Sequence, residues 1–313
     1  MLFAGARWTL SQRLRRFGVR WRASRMAAGE PWSLPDPRAE IAGFRPDQQH
    51  EALSAACRLL DVEECGEPRR YGRQRKSVGT TVRARDGSAN WLKVVCLHSR
   101  AAIWMRDGEL SAPEIPNVSR PSIIRTIDWN ADGISWCALQ FTLAPSLPAA
   151  ETAALTRPIA TVDDNWLAGL KRALDRVGEM PLTRWHAHPG TIARVVARRF
   201  GRRAPIDIDE WRNAHGDINW GNVTMPSLAL LDWEYWGAAP RGFDAATLLV
   251  HSIIDSAMTR RITALFADDL ETPTGRVAQL YLMARHLDQI EAGFGDPRHH
   301  GPLEAEARRL LKR

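Results

Sequence analysis

Residues 215–234, HGDINWGNVTMPSLALLDWE, concentrate acidic and amide side chains between apolar stretches. Asp217 and Asn222 stand on either side of the short segment INWG. The apolar residues that follow, interrupted by a Pro-Ser turn, predict a short β-hairpin that ends at Asp232. Because a hairpin of this length brings its two ends together, we expect Asn222 and Asp232 to be neighbours in space.

A carboxylate beside an amide oxygen forms a pair of hard ligands, which suits Mg²⁺ held jointly with phosphate oxygens. Asp217 is then placed to accept a proton from a hydroxyl or to orient that hydroxyl. The order Asp, four spacers, Asn, and a second Asp after a hairpin is typical of phosphoryl-transfer catalytic loops. A polar turn capped by Asp217 would explain the D-x4-N spacing alone. It would not explain the added His215-Gly216 pair and the triplet Asp232-Trp233-Glu234.

The segments around this motif form a β-rich half followed by a helical half. Helical periodicity over 47–62 precedes two strands around a DGS turn within 71–97, and Lys93 lies inside the second strand. Residues 100–115 favour a helix, and the next two strands flank an NADG turn. Later periodicity predicts helices at 163–177, 190–201, 244–258 and 275–293. The order predicts a small, mostly antiparallel sheet and then a helical body that contains the hairpin.

These motifs resemble those of the aminoglycoside phosphotransferase family, which has the protein-kinase-like fold. The resemblance rests on HGDINWGN at 215–222, LLDWE at 230–234 and GFDAA at 242–246. It implies an α+β, bilobal protein-kinase-like fold with a small antiparallel-sheet N-lobe and a larger helical C-lobe. The nucleotide-binding N-lobe would span 45–139, and the C-lobe with the catalytic loop and acceptor site would span 140–313. Residues 1–44 form a basic extension outside the resemblance.

The resemblance also implies roles for individual residues of the C-lobe. Asp217 would be the catalytic base or the aspartate that orients the hydroxyl, and Asn222 and Asp232 would hold Mg²⁺. Asp244 would hydrogen-bond the backbone of the catalytic loop. His215 would help to orient that loop, with general-base catalysis by His215 as the alternative. ATP and Mg²⁺ are the expected cofactors, although the motifs do not distinguish ATP from GTP.

In the N-lobe, the resemblance implies that Lys93 contacts the α- and β-phosphates of the nucleotide. A Lys inside an apolar strand needs a partner for its charge. Glu109 in the following helix is the first candidate and Glu114 the second, while a solvated helix position is the alternative for Glu109. The segment from Gln140 to Thr142 would be the inter-lobe linker, whose backbone groups contact adenine. The phosphate-covering loop is expected near 71–81, although no G-x-G-x-x-G occurs there.

Composition narrows the classes of partner. The 313 residues carry a formal net charge of +7, and they contain no zinc-finger spacing, RNP motif or repeat, so no nucleic-acid partner is expected. Four cysteines without a C-x-x-C pair favour reduced thiols in a cytoplasmic protein. No apolar run approaches the ~18 residues of a membrane span. The N-terminus lacks the continuous apolar segment of a signal peptide.

Residues 7–25 favour a basic amphipathic helix. Apolar residues share one helical face at positions Leu10, Leu14, Phe17 and Trp21. Such a helix is suited to contact with a partner or a membrane surface. The alternatives are a frayed extension, or a start codon assigned too early with Met26 as the true start.

The acceptor is less constrained than the donor chemistry. The segment 183–203 contains six Arg and no acid. A basic acceptor site favours a neutral or acidic hydroxyl-bearing small molecule over a polycationic aminoglycoside, and a solvated helix face is the alternative for these arginines. The runner-up function is a kinase for Ser or Thr of a natural-product precursor peptide, acting before dehydration. The third is an inactive kinase-like binding protein. Glu234 either supports a second metal or bonds to neighbouring backbone.

Overall fold

The computed structural model describes residues 46–66, 69–71, 77–155, 162–201, 204 and 206–312. The N-terminal extension 1–44, with its expected amphipathic helix, lies outside this part of the chain.

The N-lobe is built on a single antiparallel sheet. Its elements are α1 (Pro46–Leu60), β1 (Val62–Glu64), β2 (Arg70–Tyr71), β3 (Ser77–Ala84), β4 (Ala89–Cys96), α2 (Arg100–Ser111), β5 (Ile123–Ala131) and β6 (Ile134–Thr142). The strands lie in the order β1-β3-β4-β6-β5, and β2 also pairs with β3. Gly87 and Gly133, with φ of 82° and 74°, turn the chain between β3 and β4 and between β5 and β6. Both predicted hairpins and the helix between them are confirmed.

Side-chain alternation along β4 separates the core from the cleft between the lobes. Leu92 and Val94 pack with α1 in a buried apolar cluster. Trp91, Lys93 and Val95 line the cleft. Because successive side chains of a strand point to opposite faces, the run WLKVVC supplies core contacts on one face. On the other face it carries Lys93 into the cleft.

The C-lobe is mainly helical. Its helices are α3 (Asp164–Glu179), α4 (Pro189–Phe200), α5 (Phe243–Ser252), α6 (Ser256–Leu265), α7 (Ala267–Leu270), α8 (Pro273–Glu291) and α9 (His300–Leu311). Short 3-10 turns lie at Trp233–Tyr235 and Pro297–His299. Two short strand pairs accompany them: β7 (Leu147–Pro148) with β9 (Thr224–Met225), and β8 (Trp211–Ala214) with β10 (Gly237–Pro240). The bilobal α+β expectation is confirmed.

One predicted helix is two helices in the structure. The periodic segment 244–258 divides after Ser252, where α5 ends. The carboxylate of Asp255 then accepts hydrogen bonds from the backbone N–H groups of Ala257 and Met258 and caps α6. An Asp at this position favours a new helix N-terminus because its oxygen satisfies amides that have no intrahelical partner.

The predicted hairpin over 223–232 is present as a tight chain reversal, without a long two-stranded ladder. Val223 and Leu230 form an isolated antiparallel bridge, and β9 pairs with β7 instead. The backbone N–H of Leu231 donates to the carbonyl of Asn222 at 2.8 Å. Asn222 therefore lies beside the residue that precedes Asp232, as the length of the reversal requires.

Within the described residues, no helix is both long and apolar enough to cross a membrane. The four cysteines are free thiols. Burial raises the pKa of Cys96 to about 11 and that of Cys137 to about 12. Both therefore stay protonated and unreactive at neutral pH.

Helix α2 packs directly against the turn Trp233–Tyr235 at Gly108. The indole Nε1 of Trp236 donates to the Gly108 carbonyl at 2.9 Å. A Cβ on Gly108 would fall on the carbonyl oxygen of Glu234. The absence of a side chain at Gly108 thus sets how closely α2, which carries Glu109, approaches the C-lobe.

We expect Gly108→Ala to lower the free energy of unfolding by about 1–3 kcal/mol, because the added methyl overpacks a contact with backbone that cannot swing away. Gly301→Ala is the matched control, since Gly301 also lies in a helix but has nothing within 4 Å of its Cβ position. That change should be neutral or slightly stabilising. Urea denaturation of both variants measures the difference. Equal effects would show that the contact at Gly108 is not tight.

Candidate active site

The loop His215–Asn222 follows β8 and is held in place by Asp244 of α5. The Asp244 carboxylate accepts hydrogen bonds from the backbone N–H groups of His215 at 2.7 Å and Gly216 at 3.0 Å. Burial raises the pKa of Asp244 to about 6, and the two backbone hydrogen bonds oppose that rise. The structure therefore has the geometry expected for Asp244 as the acid that shapes this loop.

His215 is fully buried and does not line the cleft. Its Nε2 lies 2.9 Å from the Leu231 carbonyl, and because a carbonyl only accepts, Nε2 carries the proton. Burial lowers the pKa of His215 to about 4, so the ring is neutral at pH 7. The imidazole ties the loop to the segment before Asp232. This position supports the orienting role and opposes the general-base alternative.

Asp217 lines the cleft and is bonded to Asn222. The amide Nδ2 of Asn222 donates to the backbone carbonyl of Asp217 at 2.9 Å and to its carboxylate Oδ2 at 3.1 Å. Because Nδ2 is used in this way, the amide oxygen of Asn222 is left to act as an acceptor or ligand. Burial, together with the charges of Asp232 and Glu234, raises the pKa of Asp217 to about 8.

The ammonium group of Lys93 lies close to three carboxylates. Its Nζ lies 2.5 Å from Asp232 Oδ1, 3.0 Å from Glu234 Oε2 and 3.9 Å from Glu109 Oε2. Burial by itself would lower the pKa of Lys93, but Asp232, Glu234 and Glu109 raise it well above its ordinary value. Lys93 is therefore a buried cation, and acids from both lobes compensate its charge.

Glu109, the first candidate partner of Lys93, is buried in α2 and reaches the ammonium group. Burial raises the pKa of Glu109 to about 7, and the charge of Lys93 opposes that rise. Glu114 is exposed beyond the end of the helix. The structure thus places Glu109, and not Glu114, beside Lys93. The solvated alternative for Glu109 is wrong.

Glu234 reaches Lys93 because of the local backbone conformation. Asp232 adopts a left-handed conformation, with φ of 64° and ψ of 67°, immediately before the 3-10 turn. The left-handed residue and the 3-10 turn together place the carboxylates of Asp232 and Glu234 beside the ammonium group of Lys93. Carboxylate oxygens of Glu109, Asp232 and Glu234 lie within 4.8 Å of one another. Their spacing and hard oxygen chemistry fit a divalent cation. Sequence reasoning left Glu234 undecided because only its separation from Asp232 was visible.

At the nucleotide end, the linker position differs from the expected one. Gln140 lies inside the sheet, where its backbone pairs with both Leu92 and Arg125, and it does not line the cleft. Its side chain is also occupied, with Nε2 donating to Asn90 Oδ1 at 2.7 Å. Thr142 does line the cleft. Gln140 has no backbone group left for adenine, so the linker side of the cleft is formed by the segment 141–144.

The nucleotide end of the cleft has an aromatic wall. Gly79 and Trp91 are close across β3 and β4, and a Cβ on Gly79 would collide with the indole. Glycine at this position allows the Trp91 ring to lie against the sheet. Part of the loop expected to cover the phosphates, at 72–76 between β2 and β3, lies outside the described residues.

No protein-family model matches the chain, and no curated protein sequence matches it. Solved structures match over most of its length. Aminoglycoside phosphotransferase APH(4)-Ia aligns with a TM-score of 0.56 at 10% identity, over 85% of this chain and 98% of that one. Macrolide 2'-phosphotransferase MphH from Brachybacterium faecium gives 0.52 at 15% identity, covering 83% and 98%. Amicoumacin kinase hAmiN, in complex with AMP-PNP, Ca²⁺ and Ami, gives 0.50 at 15% identity, covering 84% and 92%.

This chain has the aminoglycoside phosphotransferase fold. The resemblance carried by the three motifs is therefore confirmed at the level of fold.

In this aminoglycoside phosphotransferase fold, α5 and α8 form the wall of the cleft beyond Asp217. The residues that line it are Thr247, Val250, His251, Leu282, Arg285, His286 and Gln289. Arg285 is the one formally charged side chain among these lining residues of α5 and α8, both of which lie wholly within the described chain. Sequence reasoning did not single it out. The only signal was the Arg-His pair at 285–286.

The arginine run does not form this wall. None of its described members lines the cleft. Arg198 pairs with Asp288, and Arg199 lies 2.6 Å from Glu291 and 3.7 Å from Glu304. Acids of α8 and α9 therefore neutralise these two arginines. The expectation that they create a basic acceptor site is wrong, because the compensating carboxylates come from elements far along the chain.

Proposed function

We propose that this protein is a Mg²⁺-dependent phosphotransferase that moves the γ-phosphoryl group of ATP to the hydroxyl of a small molecule. One observation carries the proposal: Asp217, Asn222, Asp232 and Lys93 come together in one cleft of about 1290 Å³. Fold alone would not support this assignment, because similar folds serve different functions. These four side-chain types are the ones that kinase-type phosphoryl transfer uses for the base, the metal and the phosphates.

Lys93 supplies the positive charge for the nucleotide phosphates. It reaches the cleft from β4, and Glu109 lies 3.9 Å from its Nζ, close enough to hold the ammonium group in position. When phosphates enter, Lys93 would donate hydrogen bonds to their oxygens. A preplaced cation of this kind stabilises negative charge without reorganisation during the reaction.

Asp217 acts on the acceptor. Its carboxylate is held by Asn222 Nδ2 at 3.1 Å, which limits its rotation. In the proposed reaction, the ionised carboxylate of Asp217 accepts the proton of the acceptor hydroxyl as the oxygen attacks the γ-phosphorus, and the bond from that phosphorus to the β,γ-bridging oxygen breaks to release ADP. Proton acceptance by a positioned carboxylate makes the hydroxyl oxygen a better nucleophile. Asp244 and His215 keep the loop in shape without touching the reacting atoms.

The residues around Asp232 fit a Mg²⁺ ion. Asp232, the amide oxygen of Asn222 and Glu234 would hold it, and all are hard oxygen donors. Bound Mg²⁺ would neutralise charge on the β- and γ-phosphates. Lys93 compensates these acids in the structure, and its flexible side chain can shift toward phosphate oxygens. The adenine ring would meet the backbone of 141–144, beside the wall formed by Trp91.

The alternatives receive less support. An inactive binding protein has no need to keep Asp217, Asn222, Asp232 and Lys93 together. A precursor-peptide acceptor rested partly on the arginine run, whose described members do not line the cleft and in which Arg198 and Arg199 pair with acids of α8 and α9. A cytoplasmic location remains our proposal, and it agrees with the free thiols.

Binding and turnover with Mg²⁺ test the proposed function. We expect a fluorescent ATP analogue to bind the protein more tightly with Mg²⁺ than with EDTA. We also expect labelled ATP to release or transfer its γ-phosphate only when Mg²⁺ is present. Tight nucleotide binding without any Mg²⁺-dependent turnover across a broad alcohol panel would favour the inactive binding protein. If the protein bound no nucleotide at all, both the phosphotransferase and the inactive binding protein would be excluded.

A further inference from the structure

The acceptor wall formed by α5 and α8 has an unusual charge distribution. Apart from Arg285 and the two histidines His251 and His286, its lining residues on these two helices carry no ionisable group. The acids of α8 nearest in sequence, Asp288 and Glu291, do not line the cleft and pair with Arg198 and Arg199. A wall that binds several ammonium groups would need carboxylates, and the described parts of α5 and α8 present none to the cleft.

Arg285 is half-buried and makes no hydrogen bond or ion pair with any described residue. Its guanidinium lies 5.7 Å from the ring centre of Tyr281. Arg285 and Asp217 line the same cleft, and the charge of Arg285 opposes the rise in the pKa of Asp217 that burial causes. A half-buried guanidinium without a carboxylate partner is costly unless a ligand completes its hydrogen bonds.

The acids that face the cleft do not cancel this charge. Asp232 and Glu234 are paired with Lys93, and Asp217 accepts from Asn222. Glu151 also lines the cleft but is exposed, so solvent screens its charge. Arg285 is therefore the charge that an acceptor meets on the helical wall.

We propose that Arg285 binds an anionic group of the acceptor, so that the acceptor is a small alcohol bearing a carboxylate or a phosphate. The inference rests on the proposed phosphotransferase function and specifies its substrate class. The planar guanidinium can form two parallel hydrogen bonds to either anion, which fixes the orientation as well as the affinity. The acceptor hydroxyl, on the same molecule, is thereby directed toward Asp217. A polycation would be repelled by Arg285 and would find no cleft-lining acid on α5 or α8.

Matched alcohols that differ in charge test the substrate class. The pairs are glycerate with glycerol, pantothenate with pantothenol, and ribose 5-phosphate with ribose, and kanamycin serves as the polycation. Binding to the protein saturated with a Mg²⁺–ATP analogue is measured by calorimetry, and transfer is measured with labelled ATP. We expect the anionic member of at least one pair to be preferred by about tenfold or more. The carboxylate and phosphate pairs show which anion fits.

Arg285→Gln should remove that preference and lower kcat/KM for the anionic acceptor by about 10- to 100-fold, mostly through KM. Arg285→Lys keeps the positive charge but cannot form two parallel hydrogen bonds to one anion. Its effect on kcat/KM should therefore be intermediate. Arg198→Gln, on the exposed side of α4, is the control and should change nothing. Melting temperature and nucleotide affinity of each variant report whether fold and ATP site are intact.

Two results would overturn the inference: no preference for the anion in any pair, or a preference that survives Arg285→Gln. Turnover of kanamycin at a rate equal to that of the anionic alcohols would also overturn the inference. Failure of the wild-type protein to bind Mg²⁺–ATP is a different outcome, because it would remove the phosphotransferase function itself.

Discussion

Asp217→Asn is expected to reduce phosphoryl transfer by about 100- to 10,000-fold, the contribution typical of a positioned general base. The substitution preserves size but removes the negative charge and, with it, the ability to accept a proton. Nucleotide affinity should change by no more than a few-fold, because Asp217 acts on the acceptor hydroxyl while Lys93 and Asp232 serve the phosphates. Single-turnover transfer and nucleotide titration on the same preparation measure the two effects separately.

Asp175→Asn provides the same isosteric change at an acid of α3, where Asp175 pairs with Lys171 at 3.0 Å. This control should keep full turnover. Transfer at the wild-type rate in Asp217→Asn would refute the assignment of the base. A loss of nucleotide affinity as large as the loss of rate would show that Asp217 serves the metal and not the acceptor.

Asp232→Asn is expected to raise the Mg²⁺ concentration needed for half-saturation of ATP binding by at least about tenfold. Even indirect partners of metal ligands contribute 10- to 100-fold to metal affinity, and Asp232 would ligate the ion itself. Catalysis should fall in parallel, because the charge on the β- and γ-phosphates would no longer be neutralised. The protein should still fold, since Lys93 keeps Glu234 at 3.0 Å and Glu109 at 3.9 Å.

Binding of ATP in EDTA is the internal control for this variant. Removing a carboxylate near the phosphates should leave metal-free binding unchanged or make it tighter, because like charges repel. Opposite responses with and without Mg²⁺ would support a metal ligand. An unchanged Mg²⁺ midpoint would place the metal site elsewhere, and Glu109 with Glu234 would then be the residues to replace.

The catalytic loop was predictable because its geometry is local. Four residues separate Asp217 from Asn222, and a single chain reversal joins Asn222 to Asp232. A short segment with this spacing has few ways to arrange its side chains, so residue types and intervals were sufficient. Lys93 was predictable for a related reason. A lysine in an apolar strand needs a compensating charge, and alternation along β4 delivers it to the cleft.

Other features depended on packing between distant elements. Gln140 fell within the predicted linker. In the structure, β6 pairs with both β4 and β5, so the backbone of Gln140 is part of the sheet and does not line the nucleotide end of the cleft. The length of a strand pair is set by its partners, and periodicity along one strand does not report it. The arginines of α4 looked uncompensated for the same reason, because their acids belong to α8 and α9.

The sequence by itself determined the order of the lobes and the loop 215–222, since both follow from local spacing, turn chemistry and periodicity, and the family resemblance implied that Asp244 supports this loop. Only the tertiary structure decided which charges meet. It placed Glu234 beside Lys93, 141 positions away in sequence, and it put Arg285 on the cleft wall with no hydrogen bond or ion pair to any described residue. Charge compensation acts through space over a few ångströms, so it is decided by the packing of helices and strands and not by the order of residues along the chain.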